Sequence, residues 1–463
     1  MKKTLITSYL DGIKDTRNGE SYSTILSYFY PEFITAFLLY SVPFWVEAYW
    51  IGQLKSTPVY STMGATGQLI HFIIKIAEAL SIGTTSLVGR YNGMADFERA
   101  GQILRDAFWS TVILGGLMAG ALYFGAYWIY YFYVPLEMIP IGVPYLRLRA
   151  LNVFLMFVCL ALIGFLRGIK NTHAPMKIFV LGLAVLLPVD YILIFGKFGL
   201  PAFELQGCAI ASVIQYGVML MAALAYILYD KTTRKYAISL LSFNTDHAIS
   251  LFWVTWPVVF DKASMAFAYI WLCWMMRPLG TAAIATFTVI KDMERFALVP
   301  AIACSQVITF LVSNDYGVQD WQAIKSNVKK VIFMASFMVF ALLIIFSVNP
   351  TPIIGLFDKT GDFTWLAARA FPILSVLVFF DLLQLILSGA LRGAMNAKIV
   401  MVSRVAIIIG YFMPVSYVLS QLPIESTLLR IVLIYGSFYI GNALMSVIYI
   451  NRFRGQDWKK QDV

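Results

Sequence analysis

Stretches of 20 or more predominantly apolar residues recur along the whole of this 463-residue chain. A helix needs about 20 such residues to cross the hydrocarbon layer of a bilayer. With 60% of residues hydrophobic and 13% charged, too little polar sequence remains to cover a water-soluble core of this size. The reading is therefore an all-α membrane protein. Twelve spans are expected, near 26–51, 60–90, 104–133, 144–168, 175–196, 206–229, 249–276, 281–313, 327–348, 363–392, 397–420 and 425–451. Met1 to Glu20 is polar and of mixed charge, unlike a cleavable signal peptide, so the first span is expected to stay in the mature protein.

The formal charge of +10 raises the question of a nucleic-acid partner, and the placement of the basic residues answers against it. One set of loops holds Lys2, Lys3, Lys14, Arg17, Arg90, Arg99, Arg105, Arg167, Lys170, Lys177, Lys231, Arg234 and Lys235. Lys325, Lys329, Lys330, Arg392, Lys398, Arg452, Arg454, Lys459 and Lys460 continue that set. The opposite loops offer little beyond Lys55, Arg147, Arg149, Lys197, Arg277 and Lys359. By the positive-inside rule the charge is a topology signal, and both termini are expected in the cytoplasm. Cys159, Cys208, Cys273 and Cys304 lie inside apolar stretches without metal-ligand spacing and read as packing residues. No nucleophile–histidine constellation, metal cluster or phosphate loop is present, and His71, His173 and His247 are scattered, so an enzyme is not expected.

The chain repeats itself. Gly93-Met94-Ala95-Asp96-Phe97 returns as Gly317-Val318-Gln319-Asp320-Trp321, and Leu166-Arg167-Gly168 returns as Leu391-Arg392-Gly393. Pro188-Val189-Asp190-Tyr191-Ile192-Leu193 returns as Pro414-Val415-Ser416-Tyr417-Val418-Leu419, and Pro31 corresponds to Pro257. Ordered matches at a nearly constant offset indicate duplication. The expected organisation is two six-helix lobes, 1–236 and 237–463, joined by a polar connector from about residue 230 to 249 that reads first as a plain tether. An even number of spans per repeat gives halves of the same orientation, the kind that rock about a central cavity.

Ionisable residues inside the spans carry the functional signal, because each costs at least about 2.5–3.5 kcal/mol at the bilayer centre. The acids are Glu47, Glu78, Asp190, Asp261, Asp292, Glu294 and Asp381; the bases are Lys75, Lys262, Lys291, Arg295 and Arg404. Asp190 stands where the second repeat has Ser416, so helix packing does not demand the acid. Lys75 and Glu78 are three apart and are expected to pair. Helical spacing puts Lys291, Glu294 and Arg295 on one face, with Asp292 able to meet Arg295. That cluster reads either as a self-neutralised network or as part of a substrate cavity. Asp381 has no neutralising neighbour on its own helix.

Ser86-Leu87-Val88-Gly89-Arg90, Gly164-Phe165-Leu166-Arg167-Gly168-Ile169-Lys170-Asn171-Thr172 and Asp190-Tyr191-Ile192-Leu193-Ile194-Phe195-Gly196 form an ordered set of strings. Gly207-Cys208-Ala209-Ile210-Ala211-Ser212 and Asp381-Leu382-Leu383-Gln384 leading into Gly389-Ala390-Leu391-Arg392-Gly393 complete it. The set resembles the multidrug and toxic compound extrusion (MATE) family over nearly the whole chain. The resemblance implies two six-helix lobes and antiport driven by inward H⁺ or Na⁺, with no other cofactor. It places Glu47, Asp190 and Ser212 at a cation site of the amino-terminal lobe, where Na⁺ is a candidate, and Asp381 at the tenth-span acid. Asp261 stands one turn before the position of a seventh-span acid. Lys291, Asp292, Glu294, Arg295 and Gln384 are the candidate substrate-cavity residues. Leu186 replaces a family Asn one turn before Asp190, which removes an oxygen ligand.

The expectation is an exporter of organic, cationic compounds in the cytoplasmic membrane, monomeric, with the lipid bilayer and a small-molecule substrate as its partners. Two alternatives stand beside it. One is the same scaffold carrying an anionic or zwitterionic metabolite, which Lys291 and Arg295 would favour. The other is a lipid-linked-sugar flippase of the larger superfamily.

Overall fold

The computed structural model describes residue 13 and residues 18–54, 56–133, 136–238, 245–355, 361, 363–455 and 457–459. The basic amino-terminal cluster of Lys2, Lys3, Lys14 and Arg17, together with Lys55, Lys359, Lys460 and the middle of the connector, lies outside these residues. The described chain is helical from end to end. The helices are α1 (Tyr22–Tyr40), α2 (Val42–Gly52), α3 (Thr57–Gly93), α4 (Phe97–Tyr133), α5 (Ile139–Gly168), α6 (His173–Phe195), α7 (Glu204–Tyr229) and α8 (Thr245–Met276). Then follow α9 (Thr281–Ala297), α10 (Val299–Gly317), α11 (Trp321–Val348), α12 (Pro350–Ile354), α13 (Thr364–Gly393), α14 (Ala397–Ile407), α15 (Met413–Gln421) and α16 (Thr427–Arg454). A π-helical turn, Ile408–Phe412, joins α14 to α15 just before Pro414.

Eleven of these segments among the described residues are long and apolar enough to cross a membrane, and α9 with α10, bent by 48° at Leu298, makes a twelfth. Pro300, one residue into α10, supplies the break, since it brings no backbone N–H to the helical ladder. The remaining spans follow the sequence reading within a few residues.

By its internal contacts the chain forms two compact units, Tyr30–Val259 and Phe260–Val463 together with the chain up to Phe29. The divisions fall inside α1 beside Pro31 and inside α8 beside Pro257, the two corresponding prolines.

The repeated Leu-Arg-Gly motif has a structural reason within each unit. In the first, a Cβ placed on Gly164 would lie 2.6 Å from the Ser81 carbonyl oxygen, and one on Gly168 would strike Val88. In the second, Gly389 stands against Ser305 and Gly393 against Val312 and the Thr309 carbonyl. Glycines four apart therefore let α5 pack on α3, and α13 on α10, at backbone distance. The approach is sealed each time by a threonine hydroxyl, Thr85 donating to the Gly164 carbonyl at 3.0 Å and Thr309 to the Gly389 carbonyl at 3.1 Å. Gly164→Leu is expected to cost about 3 kcal/mol or more by overpacking against backbone that cannot yield. A thermal melt of the purified variant in detergent checks this.

The connector begins as a docked segment. Asp230 accepts from the Thr232 hydroxyl and from its N–H at 2.8 Å, and these bonds hold its carboxyl below the usual carboxylate range. Tyr236 is buried between Phe97 and Phe165 and donates to Asn92 at 2.6 Å; burial pushes its hydroxyl up to about 12. Gly101 makes room for it, since a Cβ there would meet the Tyr236 carbonyl at 2.0 Å. Up to this point the connector is packed against the first unit, a firmer arrangement than a plain tether.

In the second unit Lys330, expected as a topology charge, is buried. Its ammonium donates to the carbonyls of Asn18 and Glu20 at 3.0 and 2.9 Å, and Asn327 accepts from the Glu20 N–H at 2.8 Å. These bonds strap the segment before α1 to α11.

Candidate functional site

The first unit gathers four helices around one guanidinium. Arg149 belongs by sequence to the expected loop charges, yet it lies ten residues inside α5 and is buried. It donates to Glu47 Oε2 on α2 at 2.6 Å, to Ser212 Oγ on α7 at 2.7 Å and to the Tyr145 hydroxyl one turn earlier at 2.9 Å. A longer contact of 3.5 Å reaches Cys208 Sγ. Ser212 Oγ also faces Glu47 Oε1 at 3.1 Å. Ile51, Val59, Met63, Ile194 and Leu205 pack with Tyr145 and Cys208 as an apolar cluster. Glu47 is thus a buried, ion-paired carboxylate.

Asp190, on α6, is within electrostatic reach of Glu47 and Arg149 and is 0% exposed. Neither of its carboxylate oxygens has a hydrogen-bond partner. An ionised carboxylate in that state carries an uncompensated desolvation cost of several kcal/mol. The corresponding place in the second unit shows what the scaffold alone requires. Ser416 stands where Asp190 stands in the first repeat, and it accepts from the Trp271 indole N–H on α8 at 2.9 Å. A neutral, hydrogen-bonded hydroxyl satisfies the same position.

The second unit has its own acids, and they sit elsewhere. Glu294, on α9, is 3% exposed, and its Oε2 accepts from the hydroxyls of both Tyr435 and Tyr439 on α16. Its Oε1 has no partner. Asp381, on α13, accepts from Asn442 Nδ2 at 3.1 Å and makes no ion pair within 4.0 Å among the described residues. Gln384, one turn further along α13, is buried with its amide nitrogen unpartnered. Tyr269 on α8 lies within electrostatic reach of both acids. Two carboxylates, three phenols and two amides therefore share one neighbourhood without a cation locked onto either acid.

The MatE family model matches residues 33–192 and, a second time, residues 257–418. Each match covers one repeat, and their starts are displaced by 224 residues and their ends by 226. The chain belongs to the MATE family of membrane transporters. A probable multidrug resistance protein NorM of Synechocystis is 25% identical over 420 residues, 88% of each chain. A multidrug resistance protein NorM of Photobacterium profundum is 25% identical over 354 residues, covering 74% of this chain and 75% of the other. Among solved structures, a MATE protein in its straight conformation superposes with a TM-score of 0.84 over 98% of both chains at 19% identity. A MOP superfamily transporter of Pyrococcus furiosus, described as having a binding pocket of reversed polarity, superposes at 0.85 over the full length of both at 19% identity.

Within this MATE fold several sequence expectations are reassigned. Asp261, expected among the coupling acids, is held by the Arg392 guanidinium through Oδ2 and by the Arg404 guanidinium through Oδ1, all three side chains being buried. Both of its oxygens are taken, so it has none to offer a coupling ion. Its counterpart in the first unit is Glu32, which binds Arg167 through Nε at 2.9 Å and through a second nitrogen at 2.8 Å. The arginine of each Leu-Arg-Gly motif is thus pinned to the first helix of its own repeat, by carboxylates one turn apart in register. Sequence reasoning counted both arginines as loop charges and passed over Glu32.

Lys75 pairs with Glu78 at 3.1 Å as spacing predicts, and its ammonium also lies 4.1 Å from the centre of the Tyr40 ring. The eighth-span cluster divides. Glu294 turns inward to the tyrosines, while Asp292 and Arg295 are exposed on the unit's surface and Lys291 lies over the Tyr269 ring at 5.1 Å. None of Lys291, Asp292 and Arg295 makes an ion pair among the described residues, so the self-neutralised network does not form. No group of three metal-ligating side chains occurs among the described residues.

Proposed function

We propose that this MATE protein is a cation-coupled antiporter that exports organic compounds across the cytoplasmic membrane, with H⁺ or Na⁺ as the driving ion and both termini in the cytoplasm. The observation that carries the proposal is Asp190, fully buried with two unpartnered carboxylate oxygens at a position the second repeat fills with a neutral hydroxyl. Keeping such a group ionised costs free energy, and a proton or cation taken up from one side relieves that cost. Uptake then favours a different packing of α6 and shifts the population between facing states. Glu294 and Asp381 form the second acidic station, with the phenols of Tyr435 and Tyr439 donating to the carboxylate when the proton has left. The multidrug resistance relatives support export of drug-like compounds as the direction and the cargo class.

A second reading of the cargo rests on one observation. Lys291, Asp292 and Arg295 lie on an apolar span with no ion-pair partner among the described residues. Charges on a membrane span almost always face the bundle interior, water or a ligand in preference to lipid. Their mixed sign suits a zwitterionic or anionic solute better than a simple cation, and the Pyrococcus furiosus relative of reversed pocket polarity gives that reading a precedent.

Purified protein in liposomes, given ethidium, a zwitterionic rhodamine or an anionic fluorescein, tests both readings under separately imposed pH and Na⁺ gradients. Gradient-driven accumulation of at least one dye is expected, and Arg295→Glu should shift preference toward ethidium by about tenfold or more, the factor that ~1.4 kcal/mol supplies. No accumulation under either gradient would refute antiport. An unchanged dye preference in Arg295→Glu would refute the zwitterion reading.

A further inference from the structure

We infer that Arg149 is a tethered counter-cation that occupies the place of a coupling metal ion in the first unit, leaving Asp190 as the exchangeable acid of that site. The inference deepens the coupling part of the antiport proposal and rests on it. Family resemblance makes Na⁺ a candidate at Glu47, Asp190 and Ser212, and the donor set does not fit that ion.

A Na⁺ site is built from converging oxygen lone pairs. Here the guanidinium already takes Glu47 Oε2 at 2.6 Å and Ser212 Oγ at 2.7 Å. The other Glu47 oxygen is bonded to the same serine at 3.1 Å. A metal ion between Glu47 and Ser212 would have to displace a charge-assisted pair and sit beside a fixed positive charge. The Tyr145 hydroxyl accepts from Arg149 Nε at 2.9 Å and holds the guanidinium from a third direction. The remaining oxygens, those of Asp190, have Leu186 one turn away where an amide would have supplied a ligand.

Charge counting leads to the same place. The unit's site holds two carboxylates, Glu47 and Asp190, and one guanidinium. With Glu47 permanently matched by Arg149, a single negative charge is left to be taken up, on Asp190 alone. One proton neutralises it without needing any further ligand. Glu47 is therefore a positioning residue, which orients Arg149 and does not itself exchange an ion. A purely structural salt bridge would leave the ion preference of the site unaltered when broken. A tethered cation predicts that removing it opens a metal site.

The test reads ²²Na⁺ retention directly on purified protein against K⁺, so that its outcome is separate from dye flux. Wild type and Glu47→Gln are expected to retain the same amount of ²²Na⁺, because Glu47 binds none. Arg149→Gln is expected to retain about one further Na⁺ per chain and to gain about 3 °C or more in Tm on replacing K⁺ by Na⁺, since a ligand that binds only the folded form stabilises it. Glu47→Gln with Arg149→Gln, a neutral pair that avoids stranding a buried charge, is expected to lose both effects. Loss of ²²Na⁺ on Glu47→Gln in protein that still melts cooperatively would overturn the inference, and so would additional Na⁺ in the neutral double variant, which strands no charge. Arg149→Gln that folds and retains no additional Na⁺ would overturn it equally. Failure of the antiport proposal would show in dye flux, whatever the Na⁺ count.

Discussion

Replacement of Asp190 by Asn is expected to reduce gradient-driven dye accumulation by about tenfold or more while leaving the folded protein at least as stable as wild type. The two halves of that expectation have one cause. Asp190 makes no hydrogen bond and no ion pair, so an amide of the same shape removes no contact and lowers stability by less than about 1 kcal/mol, while any relief of a buried charge raises it. What the variant loses is the capacity to change charge, and a residue that cannot change charge cannot tie the facing equilibrium to an ion gradient. Thermal melts and liposome flux on the same preparation check both halves together. Normal flux in Asp190→Asn would remove the residue from the coupling machinery.

Asp261→Asn is expected to do the opposite. The side chain is nearly the same size, yet the substitution strands two buried guanidinia, those of Arg392 and Arg404, without a counter-charge. Removing one partner of a buried ion pair typically costs about 3–5 kcal/mol. Much of the stability of a unit is of that order, so the variant should melt well below wild type or fail to be recovered from the membrane. A variant that melts like wild type would mean that Arg392 and Arg404 find other partners, and the structural role given to the Leu-Arg-Gly arginines would fall. The contrast between two buried aspartates, one without partners and one with two, separates coupling from scaffold more sharply than either variant alone.

Much of the fold was legible before any coordinates. Apolar segment lengths mark the spans, and the duplicated strings mark the two repeats, because both signals are local and periodic. The matches at 33–192 and 257–418 fall on the same two repeats. Side-chain partners across helices were much less legible. Arg149 looked like a loop charge because it lies close to the polar start of its span, only two residues from Arg147. Nothing in the linear order says that Glu47, 102 residues earlier, lies against it. Glu32 was passed over for the same reason, sitting directly after Pro31 near the start of the first span and 135 residues from its arginine. Helical spacing correctly paired Lys75 with Glu78, where both partners share a helix. It misplaced Glu294, which the hydroxyls of Tyr435 and Tyr439 draw away from Lys291 and Arg295.

One internal signal could have found more. Comparing the repeats position by position shows acids that one half has and the other lacks. Asp190 against Ser416 marks the first unit's site, and Asp381 against Met156 and Glu294 against Leu69 mark the second's. Arginines present in both halves, Arg167 and Arg392, turn out to be scaffold. In a duplicated transporter, residues shared by the repeats report on the frame, and residues that break the symmetry report on the work.

The most direct measurement is proton movement during solute exchange, followed with a pH-sensitive dye trapped inside liposomes that carry the purified protein. On addition of whichever dye the flux assay identifies as cargo, wild type should move protons opposite to the solute. The paired variant Asp190→Asn with Glu294→Gln should move none above the protein-free background. Undiminished proton counterflow in that variant would contradict the account, because the charge would then be crossing on groups other than the buried carboxylates.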